Sequence, residues 1–200
     1  MKTKIDLSGW NLIIYQLIAS KFANSEFCLK DIYEYESEFK KVYPDNFHIK
    51  DKIRQTLQNL RDCDVLSFVE RGSYQLKSKN VYKKLILKED IASECVYLLS
   101  NESITNWVKI GRTKNLGKRV KDLYNTSVPL PFKLEDSIGV NSSNDSRVLE
   151  KSIHSIIDTI NPDLRKNTEA NRREFFKISV VEARKVFELV RLINTVEITE

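Results

Sequence analysis

The chain of 200 residues carries 33 Lys and Arg against 28 Asp and Glu, a formal net charge of +5, with 41% hydrophobic residues and only 5 Gly and 4 Pro. That composition excludes collagen-like and low-complexity chains, and apolar runs such as 12–14 and 186–190 fall far short of the roughly 18 residues that span a bilayer. Charged residues sit within 1–6, where a signal peptide would need an apolar core, so a cytoplasmic protein with no membrane partner is expected. Cys28, Cys63 and Cys95 show no C-x-x-C spacing and only two histidines are present, so neither a disulfide framework nor a tetrahedral zinc site is assembled. The mild positive charge favours an anionic partner such as nucleic acid.

The first half reads as three helices and a hairpin. Trp10, Ile14, Leu17 and Ile18 share one face at a 3.6-residue period behind Ser8 as N-cap. A second helix is expected from Leu29 to Lys41, followed by a turn at Tyr43-Pro44-Asp45-Asn46. A third runs from His48 to Asp62: Ile49, Ile53, Leu57 and Leu60 form its buried stripe, while Lys50, Arg54, Gln55, Gln58, Asn59 and Arg61 lie outside it. Val65 to Val69 then reads as a strand, residues 70–73 as a turn and Tyr74 to Leu76 as the return strand.

That order describes a winged helix-turn-helix whose third helix would enter the major groove. Arg and Lys bond guanine edges and Asn and Gln bond adenine, so Lys50, Arg54, Gln55, Gln58, Asn59 and the hairpin-tip Arg71 are the candidate DNA-binding residues. The same face also reads as an ordinary solvated helix surface. The stretch PDNFHIKDKIRQTLQNLRDCDVLSFVERGSYQL resembles the winged-helix domain of the DpnI-type, Dam-replacing restriction enzymes. The resemblance implies duplex DNA binding and, as in some members, reading of N6-methyladenine; the chain departs from the pattern at Asp64, where the family often has Gly.

The chain divides by pattern into a winged-helix domain at 1–80, a linker at 81–92 and a second domain at 93–200. Acid-free basic stretches flank the joint: Arg71, Lys77, Lys79, Lys83, Lys84 and Lys88 on one side, and Lys109, Arg112, Lys114, Lys118, Arg119 and Lys121 on the other. In the second half, Cys95 to Leu99 and Trp107 to Gly111 read as a hairpin. A helix follows from about Asn115 to Tyr124, with Leu116, Val120 and Leu123 as its buried stripe. Beyond a loop at 126–132 come a strand from Lys133 to Val140, a helix marked by Leu149, Ile153, Ile156 and Ile160, a short strand within 174–178 and a last helix from Val180 to Asn194. Glu150, His154 and Asp158 stand four apart on the penultimate helix. Trp107, Phe175 and Phe176 are expected in the core.

Val96-Tyr97-Leu98-Leu99, Val108-Lys109-Ile110-Gly111-Arg112-Thr113, Arg119, Pro129-Leu130-Pro131-Phe132, Glu150 with His154, and Arg173-Glu174-Phe175-Phe176 occur together in one order. That set resembles the GIY-YIG nuclease superfamily, in its V-Y-x-L, K-I-G-R-T branch. The resemblance implies an α+β chain in which a three-stranded antiparallel sheet flanked by helices follows the winged helix. It implies Tyr97, Lys109, Arg119 and Glu150 as catalytic residues: Tyr97 helps take the proton from the attacking water, and Arg119 stabilises charge growing on the phosphate. The same resemblance implies Glu150 as the sole metal-binding carboxylate, for Mg²⁺ or Mn²⁺. Lys109 stands where the name-giving motif has its second tyrosine, and either lowers the phenol's pKa or binds phosphate. Arg112, Tyr124, His154 and Glu174 are accessory candidates. Phosphodiester hydrolysis needs an activated water, a Lewis acid and cations at the developing charge, and these residue types supply or hold all three.

The expectation is therefore a DNA endonuclease of restriction type acting on double-stranded DNA, with a cognate methyltransferase as partner. A homodimer is expected if both strands of a palindrome are cut. The rivals are a non-catalytic DNA-binding regulator with a degenerate nuclease domain, and a repair or mobility nuclease.

Overall fold

A computed structural model describes residues 7–70, 72–77, 87–88, 94–171 and 173–194. Its contacts separate two compact units, Met1–Lys84 with Leu192–Glu200, and Leu85–Arg191.

In the first unit, α1 (Gly9–Lys21) has one charged residue in thirteen and is buried on nearly every side, from Trp10 and Leu12 through Ile18, where one apolar face was expected. Ser8 occupies the N-cap position without a side-chain cap bond. β1 (Glu26–Cys28), absent from the sequence reading, follows. The single helix expected over 29–41 is two: α2 (Leu29–Tyr33) and α3 (Glu36–Val42). No Gly or Pro marks the break at Glu34-Tyr35. Ile32 from one short helix and Phe39 with Val42 from the other are buried, and each helix packs on α4 (Ile49–Asp62). Trp10 packs tilted against α3 and its C-cap, with ring centroids 5.2 Å from Phe39 and 4.6 Å from Tyr43.

Helix α4 buries Ile49, Ile53, Leu57 and Leu60 as its spacing requires, together with Thr56. It ends in a Schellman turn: Val65 N donates to Leu60 O and Asp64 N to Arg61 O, with Asp64 at φ 60°. An aspartate tolerates that left-handed position better than most residues, so the departure from glycine leaves the turn intact. β2 (Leu66–Glu70) and β3 (Ser73–Leu76) form the wing, and β1 pairs on the far side of β3, giving the antiparallel order β1-β3-β2. Gly72 takes φ 87° in the wing turn.

The second unit holds a five-stranded antiparallel sheet, where three strands were expected. Its centre is β5 (Glu94–Ser100), between β6 (Val108–Thr113) and β7 (Lys133–Val140). Two-residue edge strands extend this trio: β4 (Leu87–Lys88) on β7, and β8 (Phe175–Phe176) on β6. Such short strands carry no periodicity to read. β4 lies inside the segment expected as linker, the rest of which is outside the described residues. Helix α5 (Leu116–Leu123) is capped by Asn115, whose side chain accepts from Lys118 N. α6 (Ser143–Ile160) starts six residues before its apolar pattern because Ser142 accepts from Asp145 N. The short 3-10 turn Pro162–Leu164 follows, then β8 and α7 (Val180–Asn194). Leu116, Val120 and Leu123 are only partly buried against Tyr97, Leu99 and Phe132, which corrects the buried stripe expected for α5. Trp107 and Phe175 are likewise half-buried, and Phe176 alone of the three aromatic core candidates is buried.

Candidate active site

The site forms where β8 leaves β6. β8 pairs with Val108 and Lys109, and Ile110 N donates to Glu174 O at 2.9 Å. Past that point the β6 edge at Gly111 and Arg112 pairs with no strand among the described residues. Strand alternation puts Lys109 and Gly111 on the face of Tyr97, which is Gly111's cross-strand partner, and Ile110 and Arg112 on the opposite face.

On the first face the Tyr97 ring is buried, and its hydroxyl accepts from Arg119 Nε at 3.1 Å. Burial raises the phenol's pKa above its ordinary value, offset by the Arg119 bond and reinforced by the charge of Glu174, so Tyr97 is a neutral phenol at neutral pH. Lys109 is buried and donates to Glu174 Oε2 at 2.7 Å, with Nζ 4.9 Å from the centre of the Phe175 ring. Arg119 Nη2 stands 3.9 Å from the same carboxylate oxygen. A Cβ at Gly111 would lie 2.6 Å from the Tyr97 hydroxyl and 2.7 Å from Glu174 Oε2. Only glycine leaves space for those two groups to face one another.

On the other face α6 presents a column of polar side chains four residues apart. Ser146 donates to the buried Glu94 carboxylate at 2.5 Å. Glu150 Oε2 pairs with Arg112 Nε at 3.2 Å. His154 Nε2 lies 3.0 Å from Ile110 O, and Arg165 Nη1 lies 3.3 Å from His154 Nδ1. Asp158 holds Arg165 through two bonds, of 2.5 and 3.3 Å. A carbonyl only accepts and a guanidinium only donates, so His154 carries its proton on Nε2. Burial lowers its pKa to about 4. With both ring nitrogens committed, His154 holds α6 to β6, and Asp158 belongs to the same network through Arg165.

Glu150 is half-buried. Burial first, and then the charge of Glu174, raise its pKa, while Arg112 works in the opposite direction. Among the described residues no three His, Cys, Asp or Glu cluster as a metal cage. The donor set is one half-buried hard-oxygen ligand, Glu150, whose Oε2 also meets Arg112. That fits a cation which keeps most of its own waters and takes one or two protein oxygens, as Mg²⁺ does, and it does not fit a structural zinc. Tyr124 is exposed at the C-cap of α5, and none of these bonds runs to it.

On the first unit Lys50, Arg54, Gln55, Gln58 and Asn59 are all exposed on α4, as expected. Two are engaged locally: Lys50 Nζ lies 3.1 Å from Glu36, and Lys52 donates to Gln55 Oε1 at 3.1 Å. Arg71 falls outside the described residues. Missed in the sequence were the packing role of Gly111, the Arg165 bridge and the carboxylate contact of Lys109. The first was signalled by glycine inside a strand, a mark of close approach.

Residues 6–76 match the family model of the Dam-replacing HTH domain. The first unit is a DNA-binding winged helix. Residues 94–191 match the model of the T5orf172 domain, and that match takes in Tyr97, Lys109, Arg119, Glu150 and Glu174 alike. A Dam-replacing HTH domain thus precedes a T5orf172 domain in one chain, the composition of a DNA-binding, nuclease-like protein. No described helix is long and apolar enough to cross a membrane.

Proposed function

We propose that this protein is a DNA endonuclease of restriction type, in which the winged helix reads duplex DNA and the T5orf172 domain, acting as a GIY-YIG-type nuclease, hydrolyses one phosphodiester at a time. The observation that carries the reading is the convergence of Tyr97, Lys109, Arg119, Glu174, Arg112 and Glu150 around the open β6 edge at Gly111. Glu150 would hold Mg²⁺ or Mn²⁺, which when bound supplies Lewis acidity at the scissile phosphate. Arg119, half-exposed above the Tyr97 hydroxyl, receives the phosphate and offsets the charge that grows on it. The neutral Tyr97 phenol orients the attacking water by hydrogen bonding, because its raised pKa keeps it from acting as a standing phenolate base. Cutting both strands of a palindrome calls for a homodimer, and a restriction role calls for a cognate methyltransferase. Methyl-dependent reading would fall to α4 and the wing.

The burial of Tyr97 favours one second reading, a DNA-binding regulator whose nuclease site is closed. Incubating the protein with Mg²⁺ and plasmids bearing or lacking adenine methylation separates the two. Cleavage of either plasmid supports the nuclease. Duplex binding without cleavage of linear, supercoiled or branched DNA supports the regulator, and cleavage of branched DNA alone makes the protein a repair-type nuclease.

A further inference from the structure

We propose that Glu174 is the positioning residue of this site: its carboxylate fixes the Lys109 ammonium and steers the Arg119 guanidinium, so that both cations stand in place around the Tyr97 hydroxyl. The inference rests on the nuclease reading above and assigns a division of labour within it. Lys109 has its side chain only 8% exposed and lies against the Phe175 ring, so a phosphate has little access to its ammonium. Glu174, at 39%, is the exposed member of the pair. Its backbone carbonyl is clamped by Ile110 N, which sets the carboxylate over Gly111. One oxygen, Oε2, then serves Lys109 at 2.7 Å and Arg119 at 3.9 Å while facing the Tyr97 hydroxyl.

The arrangement explains a lysine in place of a second tyrosine. A buried ammonium is tolerated when a carboxylate neutralises it, and a carboxylate this close to the phenol is tolerated when an ammonium neutralises it in turn. Lys109 therefore works through Glu174, and Glu174 through Arg119 and Tyr97. Glu174 itself need not touch the substrate.

The test is a double-mutant cycle in the full chain with Glu174→Gln, Lys109→Met and the pair, with Glu174→Asp as the conservative variant. Cleavage of duplex DNA is followed in single turnover at saturating protein, together with duplex affinity and thermal unfolding. Expected are a loss of about 10- to 100-fold in the cleavage rate for Glu174→Gln, duplex affinity within about threefold, partial recovery in Glu174→Asp, and a double variant no slower than the worse single one. In unfolding, the double variant should be more stable than Glu174→Gln alone, since the buried Lys109 ammonium left without its carboxylate is the costlier state, whereas Glu174 without Lys109 keeps solvent and Arg119. Parent-like cleavage by Glu174→Gln, or losses that multiply in the double variant, overturns the assignment. If the parent cuts no DNA, the nuclease reading falls by itself, and the unfolding cycle still decides: additive effects of the two substitutions would overturn the coupling of Lys109 to Glu174.

Discussion

At Gly111 a single missing methyl group decides whether the site can exist. The Cβ of an alanine would sit 2.6 Å from the Tyr97 hydroxyl and 2.7 Å from Glu174, so the ring or the carboxylate must move. Gly111→Ala is expected to cost about 1–3 kcal/mol in urea unfolding, the usual range for overpacking, and to lose cleavage more severely than stability. His154 gives a pH signature. Its pKa is about 4 in the folded chain against 6.5 for an ordinary imidazole. The unfolded chain therefore binds the extra proton between those values, and folding stability rises with pH across that window. The contribution is full above pH 6.5, is lost as pH falls toward 4, and is on the order of 3 kcal/mol at most. His154→Gln should flatten that part of the stability curve, and an unchanged curve would remove the buried neutral imidazole from the account. Glu150→Ala should keep duplex affinity within a few fold and lose at least about a hundredfold in cleavage. Asp163, exposed in the turn after α6, is the fitting control. Asp158 is not, because it holds the Arg165 that bonds His154.

Elements with an apolar pattern several residues long were legible in the sequence, and elements set by tertiary pairing or a cap were not. The stripe of α4 follows from spacing, and the bounds expected for β7 and α7 are those observed. The two-residue strands β4 and β8, the break between α2 and α3, and the early start of α6 rest on tertiary pairing, packing or a serine cap. In the site, residue types and order named the cluster, but which cation meets which carboxylate depends on the register of β5, β6 and β8. At α4 the exposed Gln55, Gln58 and Asn59 share the outward face. Alanine at any one that reads a base should cost about 1–3 kcal/mol of specific affinity and relax the sequence preference at one position. Equal losses on every duplex would mark a phosphate contact instead. The end of the same helix offers a stability check: Asp64→Ala, which places a Cβ without a helpful polar side chain at φ 60°, should destabilise by about 1 kcal/mol, whereas Asp64→Gly should be tolerated.

Over the whole molecule, charge decides how binding responds to salt, and the pairing seen in the site changes which charges count. The second basic stretch runs from Lys109 to Lys121, but Lys109 is buried against Glu174 and Arg112 is paired with Glu150, so neither is available to a passing phosphate at full charge. Lys114, Lys118 and Lys121 are exposed around α5, and Lys50 and Arg54 are exposed on α4. If about six cations drawn from the two units neutralise phosphates, the log–log dependence of duplex affinity on salt should have a slope of roughly −5. Replacing Lys114, Lys118 and Lys121 together by Ala should bring the slope about three units closer to zero if the second unit engages the backbone. Lys109→Met should leave it unchanged while reducing cleavage. A slope that responds to Lys109 and not to the exposed lysines would mean that phosphate enters the Gly111 site directly, and would move Lys109 from a partner of Glu174 to a substrate contact.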